Sequence, residues 1–374
     1  MRIAFVHLPA KVFIMFQQAA QIMINRRILT VLSAATIGFS FLSSGCAEKK
    51  PVSSEVEQQP SIDKLSVMFY NVENLFDMED DPSTFDEDFT PTGKLTWDQG
   101  RFDKKLLNLG KVVAAASQTK ELPSIIGLCE VENRSVVEDF AKSAYLKAVP
   151  YKVIHKDSPD GRGIDVALLY DERVISLEEV NYIESKLPAG DRPNTRLAMH
   201  VKGTIAGKEL HLFVNHWPSR SGGKDATEPN RLTVAYNVRQ EVNATLEKNP
   251  EAHIILMGDF NDHPNDKSLV EVLSAGRKDE KLLYNLMWEK HKRGEGSYNY
   301  RGNWGALDQF IVSQNMADGF DLEVDESTVR FVREEWMMYT NDKGDVFPSR
   351  TYGGPNYYGG YSDHLPIYME LKLN

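Results

Sequence analysis

The sequence predicts an α/β fold in which β-sheet is covered by helices. Short apolar runs of strand length, rich in Val, Ile, Leu or aromatic residues, recur along the chain. Between them, residues 102–118 and residues 231–247 place apolar side chains at the three-to-four spacing of an amphipathic helix. Strands that alternate with helices are typical of α/β architecture. The apolar runs include Leu65–Tyr70, Ile125–Cys129, Val166–Tyr170, Leu210–Val214, Ile254–Met257, Phe310–Val312 and Ile367–Leu373.

The chain is long enough to bury a large core. Its 374 residues are 41% hydrophobic and 26% charged, which is ordinary for a globular protein. Residues 63–374 show no repeat, low-complexity linker or abrupt change in composition, so we expect them to form one domain. Residues 46–62 are polar, and we interpret them as a flexible tether.

The charge balance is acidic. The formal net charge is −11, and residues 1–45 contain four basic residues and no acidic one, so the remainder carries −15. An acidic surface repels polyphosphates at long range, which argues against non-specific affinity for nucleic acid. It does not exclude a phosphate substrate, because bound divalent cations invert the local field at a site.

Residues 1–45 are predicted to be an export signal of the lipoprotein type. Arg26 and Arg27 precede the apolar stretch Ile28–Leu42, which is too short and too rich in Ser and Thr for a membrane span. Small residues then lead to Cys46, as in bacterial lipoprotein signals whose cysteine is lipidated after cleavage. We therefore expect an exported lipoprotein of the cell envelope, with the membrane and its face left open.

Cysteine usage supports this interpretation. The chain has only Cys46 and Cys129, so neither a disulfide framework nor a zinc site with paired cysteines is expected. The alternative is an ordinary cleaved signal in which Cys46 is incidental. Translation could also begin at Met23, because residues 1–22 add nothing that a signal needs.

Polar residues with useful chemistry follow the apolar runs where each strand is expected to end. Strand ends in α/β folds converge on a crevice, so these side chains are expected to meet. Carboxylates without cysteine suit Mg²⁺, Mn²⁺ or Ca²⁺, while the histidines can donate hydrogen bonds or shuttle a proton. Together they favour phosphoester hydrolysis. They are Asn71, Glu73, Glu130, His216, Asp259, Asn261, Asp308, Asp363 and His364.

Each element taken alone has a simpler explanation. Gly258–Asn261 is by itself more typical of a turn in which Asp and Asn bond their own backbone. A lone histidine such as His216 is more often packed or exposed than catalytic. Several independent strand ends that all finish in such groups are not explained in this way, and their joint occurrence favours an active site.

The ordered set of motifs resembles the endonuclease/exonuclease/phosphatase superfamily over essentially the whole body, from about Leu65 to Leu373. Gly258–Asn261 and Ser362–Pro366 are its most diagnostic elements. Tyr70–Asp77 resembles the subgroup of secreted bacterial nucleases. The resemblance implies a four-layer α/β sandwich of two packed, mixed β-sheets flanked by helices.

The resemblance also implies a divalent-metal site. Glu130 corresponds to the principal metal ligand, with help from Glu73 and Asp363, although the family often has aspartate or another residue where this chain has Glu73. Asn71 and Asn261 are implied to orient phosphate or water. Magnesium is the expected ion, with manganese or calcium as alternatives.

Four further residues have implied catalytic roles. Asp259 would activate or align the attacking water. His364 would contact the scissile phosphate, with Asp308 holding its ring in the useful tautomer. His216 would stabilise the phosphorane or assist the leaving group.

Four residues are candidates for binding substrate. Arg220 and Arg231 flank the strand of His216, and Arg162 opens an Arg-Gly-Ile-Asp motif; such residues could hold phosphates. Tyr357 lies on a glycine-rich loop and could stack on bases. The alternatives are a solvated charged loop for the arginines and a self-packed loop for the tyrosine.

The sequence therefore predicts a monomeric, metal-dependent phosphodiester hydrolase, with an extracytoplasmic nuclease acting on DNA or RNA as the leading hypothesis. A phosphatase or phosphodiesterase for a phospholipid headgroup, an inositol phosphate or another small phosphoester is the alternative. A binding lipoprotein that has lost turnover is a third hypothesis, which the complete set of site residues disfavours. Endo- or exo-action is left open.

Overall fold

The computed structural model describes residues 64–188, 194–319 and 321–374. The expected signal, the lipidation site Cys46 and the tether 46–62 lie outside these residues. Among the helices of these residues, none combines the length and the hydrophobicity that a membrane span requires.

The described chain forms two large sheets and three short hairpins. The first strands are β1 (Lys64–Leu75), β2 (Ile125–Val131), β3 (Tyr151–His155), β4 (Asp165–Asp171), β5 (Ser176–Ile183), β6 (Ala198–Ile205), β7 (Lys208–His216), β8 (His253–Asp259), β9 (Ala275–Gly276) and β10 (Leu283–Asn285). They are followed by β11 (Tyr298–Tyr300), β12 (Asn303–Gly305), β13 (Asp308–Ser313), β14 (Leu322–Phe331), β15 (Met338–Thr340), β16 (Val346–Pro348), β17 (Tyr352–Gly353), β18 (Asn356–Tyr357) and β19 (Ile367–Leu373).

Sheet I has the strand order β14-β19-β1-β2-β4-β3, and sheet II has the order β5-β6-β7-β8-β13-β10-β9. Both sheets are mixed, because β1 pairs parallel with β2 and β7 pairs parallel with β8, while most other pairs are antiparallel. The hairpins are β11-β12, β15-β16 and β17-β18. All seven apolar runs singled out in the sequence lie within strands of the two large sheets.

Four α-helices accompany the sheets in the described ranges: α1 (Gln99–Ala114), α2 (Arg134–Ala141), α3 (Lys224–Lys248) and α4 (Trp288–Lys292). Short 3-10 helices span Glu87–Phe89, Gln314–Ala317 and Glu335–Met337, and a π-helix spans Ser268–Leu273.

The first helix begins at a side-chain cap and ends earlier than its apolar pattern. The carboxylate of Asp98 accepts a hydrogen bond from the backbone N–H of Arg101, which satisfies one of the free amides of the first turn. The pattern predicted a helix to Gln118, but α1 ends at Ala114. There the backbone changes to hydrogen bonds between residues three apart, as in a 3-10 helix. Ala116, which follows the helix, is still buried, so the apolar pattern extends beyond the helix itself.

The two large sheets pack face to face around a shared hydrophobic core. Val67 and Ile125 of sheet I and Leu212 and Met257 of sheet II are fully buried members of this core. Because side chains alternate along a strand, the outer face of sheet I packs on α1 and α2, and that of sheet II packs on α3. The predicted four-layer α/β sandwich is confirmed.

Strand register brings the expected catalytic residues to one edge of the sandwich. In sheet II, His216 at the end of β7 lies beside Asp259 at the end of β8, which is paired with Asp308 at the start of β13. In sheet I, the parallel pairing of β1 and β2 places Asn71 beside Cys129, directly before Glu130. The predicted site therefore lies where strand ends of the two sheets meet on one side of the sandwich.

Gly258 is a position where sheet II leaves no room for a side chain. A Cβ atom added there would lie 2.4 Å from the backbone oxygen of Asn215 on the neighbouring strand β7. Because the obstacle is backbone, a larger residue forces β7 and β8 apart rather than displacing a flexible side chain.

We predict that Gly258→Ala lowers the free energy of unfolding by about 1–3 kcal/mol, because overpacking strains this strand pair. Urea denaturation measures the change. Gly100→Ala is the control: it lies in the first turn of α1, and its added Cβ approaches nothing closer than a side-chain oxygen of Asp98 at 3.4 Å. It should differ from the unmodified protein by no more than about 1 kcal/mol. An unchanged midpoint for Gly258→Ala contradicts this account of the strand pair.

Candidate active site

The strand ends that carry the site are irregular. Glu73, Glu130 and Asn261 have φ values of 52°, 62° and 50°, in the left-handed region that L residues seldom adopt. The β1–β2 register shifts at the first of these residues, and the β2–β4 register shifts at the second. A bulge re-aims a side chain, and left-handed backbone at a residue other than glycine costs on the order of 1–3 kcal/mol. The fold thus holds these side chains in positions that a regular strand would not provide.

Asp259 lies at the centre of the site and is almost completely buried. Its Oδ2 accepts a hydrogen bond from Asn71 Nδ2 at 3.2 Å, and it lies 3.7 Å from His216 Nε2 and 3.9 Å from His364 Nε2. On the far side, Nδ1 of His364 lies 2.6 Å from Asp308 Oδ2. The structure therefore brings together five of the six residues expected to be catalytic.

The sixth expected catalytic residue, Asn261, lies just behind this cluster. Its backbone N–H donates to Asp259 Oδ1 at 2.9 Å, and its side-chain amide donates to the carbonyl of Trp217 at 3.0 Å. Asn261 as a whole is 9% exposed. Asn261 thus orients Asp259 through its backbone while its own amide is engaged with the end of the neighbouring strand.

The two histidines have opposite electrostatic surroundings. Burial lowers the pKa of His216 well below its usual value, and the nearby Arg196 and Arg162 lower it further. Burial also opposes the charge of His364, but the carboxylates of Asp308 and Asp259 raise the pKa of His364 well above its usual value. At neutral pH the site therefore holds one neutral and one positively charged imidazole.

The pKa of Asp259 lies close to neutral pH. Burial raises its pKa to about 7, with the negative charge of Asp308 adding to the rise and His364 opposing it. A carboxylate with such a pKa can take up a proton close to the working pH of most enzymes.

Glu130 projects from its bulge toward the cleft, with 14% of its side chain exposed. Its Oε2 accepts a hydrogen bond from the backbone N–H of Asn74 at 3.1 Å, and its Oε1 lies 3.9 Å from His216 Nε2. Arg162 approaches at the rim, where a terminal nitrogen lies 3.9 Å from Glu130 Oε2 and donates to Asn74 Oδ1 at 2.6 Å. Of the four residues expected to bind substrate, Arg162 is the one placed beside the central cluster.

The donor set fits a divalent cation. Asp259, Asp308 and His364 have potential ligand atoms that all lie within 4.8 Å of one another. The charged imidazole of His364 has no free lone pair, so the carboxylates of this cluster are the groups that suit a cation. Oδ1 of Asp308 is buried, and within the described residues it has no hydrogen-bond partner. Carboxylate oxygens of this kind are the ligands that magnesium, manganese and calcium prefer.

Glu73 and Asp363, the two expected helpers of Glu130, are both paired with a residue that sequence reasoning missed. Arg350 Nε donates to Glu73 Oε1 at 3.1 Å, and a terminal nitrogen of Arg350 donates to Asp363 Oδ2 at 3.0 Å. Lys105, also missed, lies 4.0 Å from Glu73 Oε2. Burial raises the pKa of Glu73 to about 7 and lowers the pKa of Lys105 to about 8, so each group depends on its partner to stay ionised.

The other two arginines expected to bind substrate are turned into the protein. Arg231 is fully buried, and its Nε lies 2.8 Å from Asp262 Oδ2. Arg220 donates to Asp262 Oδ1 at 2.9 Å, pairs with Asp266, and donates to the carbonyl of Asn261 at 2.7 Å. These arginines brace the turn that follows β8. A fully buried guanidinium has no surface for substrate, so Arg231 is placed as a structural residue.

Tyr357 is packed within its own glycine-rich segment. Its ring lies 4.5 Å from the guanidinium of Arg101 and 5.2 Å from the ring of Tyr352. A different tyrosine, Tyr298, covers the site: its ring centroid lies 4.8 Å from that of His364. Sequence reasoning missed Tyr298, and the signal that could have found it is the Tyr-Asn-Tyr run ten residues before Asp308.

Comparison with known proteins identifies the family. The family model described as "Endonuclease/Exonuclease/phosphatase family" matches residues 66–373, most of the chain. The chain belongs to this family. Members of the family are metal-dependent phosphoesterases that include nucleases and phosphatases, and the chain is accordingly a metal-dependent phosphoester hydrolase. No curated protein matches the sequence.

Solved structures share the fold of this family. A humanized D. rerio TDP2 carrying 14 mutations is 17% identical, with a TM-score of 0.51 over 83% of this chain and 99% of that one. The human Nocturnin catalytic domain is 17% identical, with a TM-score of 0.51 over 83% and 94% of the two chains. A mannosyl-6-phosphatase from Bacteroides thetaiotaomicron is 18% identical, with a TM-score of 0.50 over 82% and 99%. At these identities the likeness shows the fold alone.

We predict that Asp308→Asn lowers the pKa of His364, because it removes the largest charge that favours the imidazolium. A histidine whose pKa is raised by folding stabilises the fold below its unfolded pKa and loses that contribution as the pH rises through its folded pKa. The variant should show a weaker pH dependence above the unfolded pKa near 6.5, because Asp259 still favours the imidazolium but Asp308 no longer does.

NMR titration of the imidazole measures the shift, and urea denaturation across pH measures the stability. Asp171→Asn, which removes a carboxylate paired with Arg173 at the other end of β4, is the matched control and should leave His364 unchanged. If Asp308→Asn leaves the titration of His364 in place, the assigned ion pair is incorrect.

Proposed function

We propose that the protein is a metal-dependent nuclease that hydrolyses phosphodiester bonds of DNA or RNA, acting as a monomer outside the cytoplasm. The observation that carries the hydrolytic part is the buried cluster around Asp259, in which a charged and a neutral histidine flank a carboxylate whose pKa is near 7. Such a cluster can accept a proton from water and donate hydrogen bonds to a phosphoryl group in the same place.

Each member of the cluster has a proposed part. Asp259, held by Asn71, aligns the attacking water and takes its proton. His364 stays charged through Asp308 and donates a hydrogen bond to a phosphoryl oxygen. His216 is neutral and lies close to both Glu130 and Asp259, where it stabilises the phosphorane or assists the leaving group. A divalent cation, when bound with Glu130 as ligand, supplies positive charge to the phosphoryl oxygens.

The tyrosines of the β11-β12 hairpin, which lies beside the site, support a nucleic-acid substrate. Tyr298 covers His364, and on the same hairpin Tyr300 is 59% exposed with the guanidinium of Arg301 5.1 Å from its ring centroid. Aromatic and guanidinium planes are surfaces on which bases stack without regard to sequence. A hairpin of this composition beside the catalytic histidine could hold the nucleotide next to the scissile bond.

A second candidate function is hydrolysis of a small phosphoester, such as a phospholipid headgroup or an inositol phosphate. It is favoured by the inward placement of Arg220 and Arg231, which are paired with acidic residues rather than presented to a long polyanion. The structurally similar mannosyl-6-phosphatase is an example of a phosphatase on this fold. Purified protein assayed with Mg²⁺ or Mn²⁺ against DNA, RNA, sphingomyelin and inositol phosphates separates the two candidates.

We predict that Asp259→Asn and His364→Ala each lower kcat on the accepted substrate by roughly a hundredfold or more while KM changes little, because both act mainly in the transition state. Steady-state kinetics measures both constants. The double variant should lose less than the product of the single losses, since the groups act together.

The control for these variants is Asp171→Asn, which should retain full activity. A chelator should abolish turnover, and added Mg²⁺ or Mn²⁺ should restore it. Full activity in excess chelator contradicts the metal-dependent mechanism. Near-normal kcat in both Asp259→Asn and His364→Ala contradicts the assigned site.

We further propose that the protein is anchored in the cell envelope through a lipidated Cys46. The basic pair, the apolar stretch and the small residues before Cys46 support this proposal. We predict that Cys46→Ser shifts the protein out of the membrane fraction or leaves its signal uncleaved, because only the thiol accepts the lipid. Fractionation of cells, with Cys129→Ser as the control, measures this. Equal partitioning of the Cys46 variant and the unmodified protein contradicts the anchor.

A further inference from the structure

We propose that Arg350 is a built-in cation at the Glu73–Asp363 carboxylate pair, so that the active site takes one divalent ion, at Glu130, and excludes a second. This inference rests on the metal dependence of the proposed function and specifies how the site uses its carboxylates. It assigns Arg350 and Lys105 as positioning residues.

The geometry at the carboxylate pair is that of a bridging guanidinium. Nε and a terminal nitrogen of Arg350, both bonded to the same carbon, donate to Glu73 Oε1 at 3.1 Å and to Asp363 Oδ2 at 3.0 Å. The planar fork of a guanidinium satisfies two acceptors at once, which a single ammonium does less well. The guanidinium thus lies between the two carboxylates, where a bridging cation would lie.

The second oxygen of Glu73 is also engaged. Its Oε2 accepts a hydrogen bond from the backbone N–H of Thr351 at 2.6 Å and lies 4.0 Å from Lys105 Nζ. The side chain of Lys105 is 1% exposed, and its ammonium donates to Thr351 Oγ1 at 2.6 Å and to the carbonyl of Tyr361 at 2.8 Å. Both oxygens of Glu73 therefore have protein partners, and Glu73 is not free to turn toward an ion.

Charge balance separates this carboxylate pair from Glu130. Glu73 and Asp363 face two cations, Arg350 and Lys105, so the group is neutral without a metal. Among the described residues, the permanent cation paired with Glu130 is Arg162, which lies 3.9 Å away and donates its hydrogen bond to Asn74 instead. Arg162 and Arg350 are similarly exposed, so direct hydrogen bonding rather than burial distinguishes them. A divalent ion is attracted to the less compensated carboxylate, whereas at the neutral group it must first displace a guanidinium that is bonded to both carboxylates.

The backbone around Arg350 is built to keep it there. The segment just before β17 is clamped by Gly360, whose backbone N–H donates to the carbonyl of Arg350 at 3.2 Å. A Cβ atom at residue 360 would lie 2.2 Å from the carbonyl oxygen of Ser349 and 2.4 Å from that of Arg350. Only glycine permits this approach, so close packing fixes the backbone of Arg350, and the hydrogen bonds to Glu73 and Asp363 hold its side chain.

The test is the number of ions bound, measured by calorimetric titration of the full-length protein with Mn²⁺ in the absence of substrate. The unmodified protein should bind one Mn²⁺. Arg350→Gln removes the cation and leaves two carboxylates facing each other, so it should bind a second Mn²⁺. Arg350→Lys keeps the charge and should still bind one. Arg173→Gln, which removes an arginine paired with Asp171 at the far end of β4, is the matched control and should also bind one.

A second pair of variants separates the roles of the two glutamates. Glu130→Gln should weaken binding of the single Mn²⁺ by roughly tenfold or more, while Glu73→Gln should weaken it far less. Thermal melting confirms that each variant is folded. These binding measurements need no substrate and therefore do not depend on which phosphoester the enzyme uses.

Two Mn²⁺ ions in the unmodified protein, a single ion in folded Arg350→Gln, or equal weakening by the two glutamate variants would overturn the inference. Each of these results leaves the metal-dependent function intact. Absence of Mn²⁺ binding to the unmodified protein, by contrast, overturns both the inference and the proposed function.

Discussion

Buried charge at one edge of the sandwich is the constraint on which the rest of the site depends. Asp259, Asp308, Glu73, His364 and Lys105 all lie in the interior, where an unpaired charge is strongly unfavourable. Each is therefore matched to an opposite charge or a donor, and the matching fixes side-chain positions before any substrate arrives. Preorganisation of this kind lets donors act on developing charge without further rearrangement.

The packing of two sheets is what makes such a cluster possible. Parallel pairing within each sheet brings strand ends to one edge, and stacking the sheets brings the two edges together. A one-residue slip of β8 against β7 would turn Asp259 away from His216 and bury the wrong face of the strand. Because the alternating core residues hold the register, hydrophobic packing remote from the chemistry sets its geometry.

Much of this arrangement could be predicted from the sequence, because strand runs and the polar residues that end them are local patterns. Asn71, Glu130, His216 and Asp259 follow directly from the ends of apolar runs. Family resemblance, rather than spacing, supplied the pairing of Asp308 with a histidine.

The remainder could not be predicted, because it depends on contacts between distant parts of the chain. Arg350 meets Glu73 across 277 positions, and nothing in the local sequence marks it. Lys105 carried a weak signal, since it interrupts the apolar face of α1 between Phe102 and Leu109. For Arg231 the local sequence was misleading. Its polar segment is typical of an exposed loop, but the side chain is buried because it pairs with Asp262.

The burial of Cys129 has a consequence for the reactivity of its thiol. Its side chain belongs to the core between the sheets, one residue before Glu130, and burial raises its pKa well above the usual value. Since thiols react as thiolates, alkylating reagents and oxidants can attack it only while the layers are apart. The rate at which a reagent labels this sulfur would therefore report how often the two sheets separate transiently next to the active-site cleft.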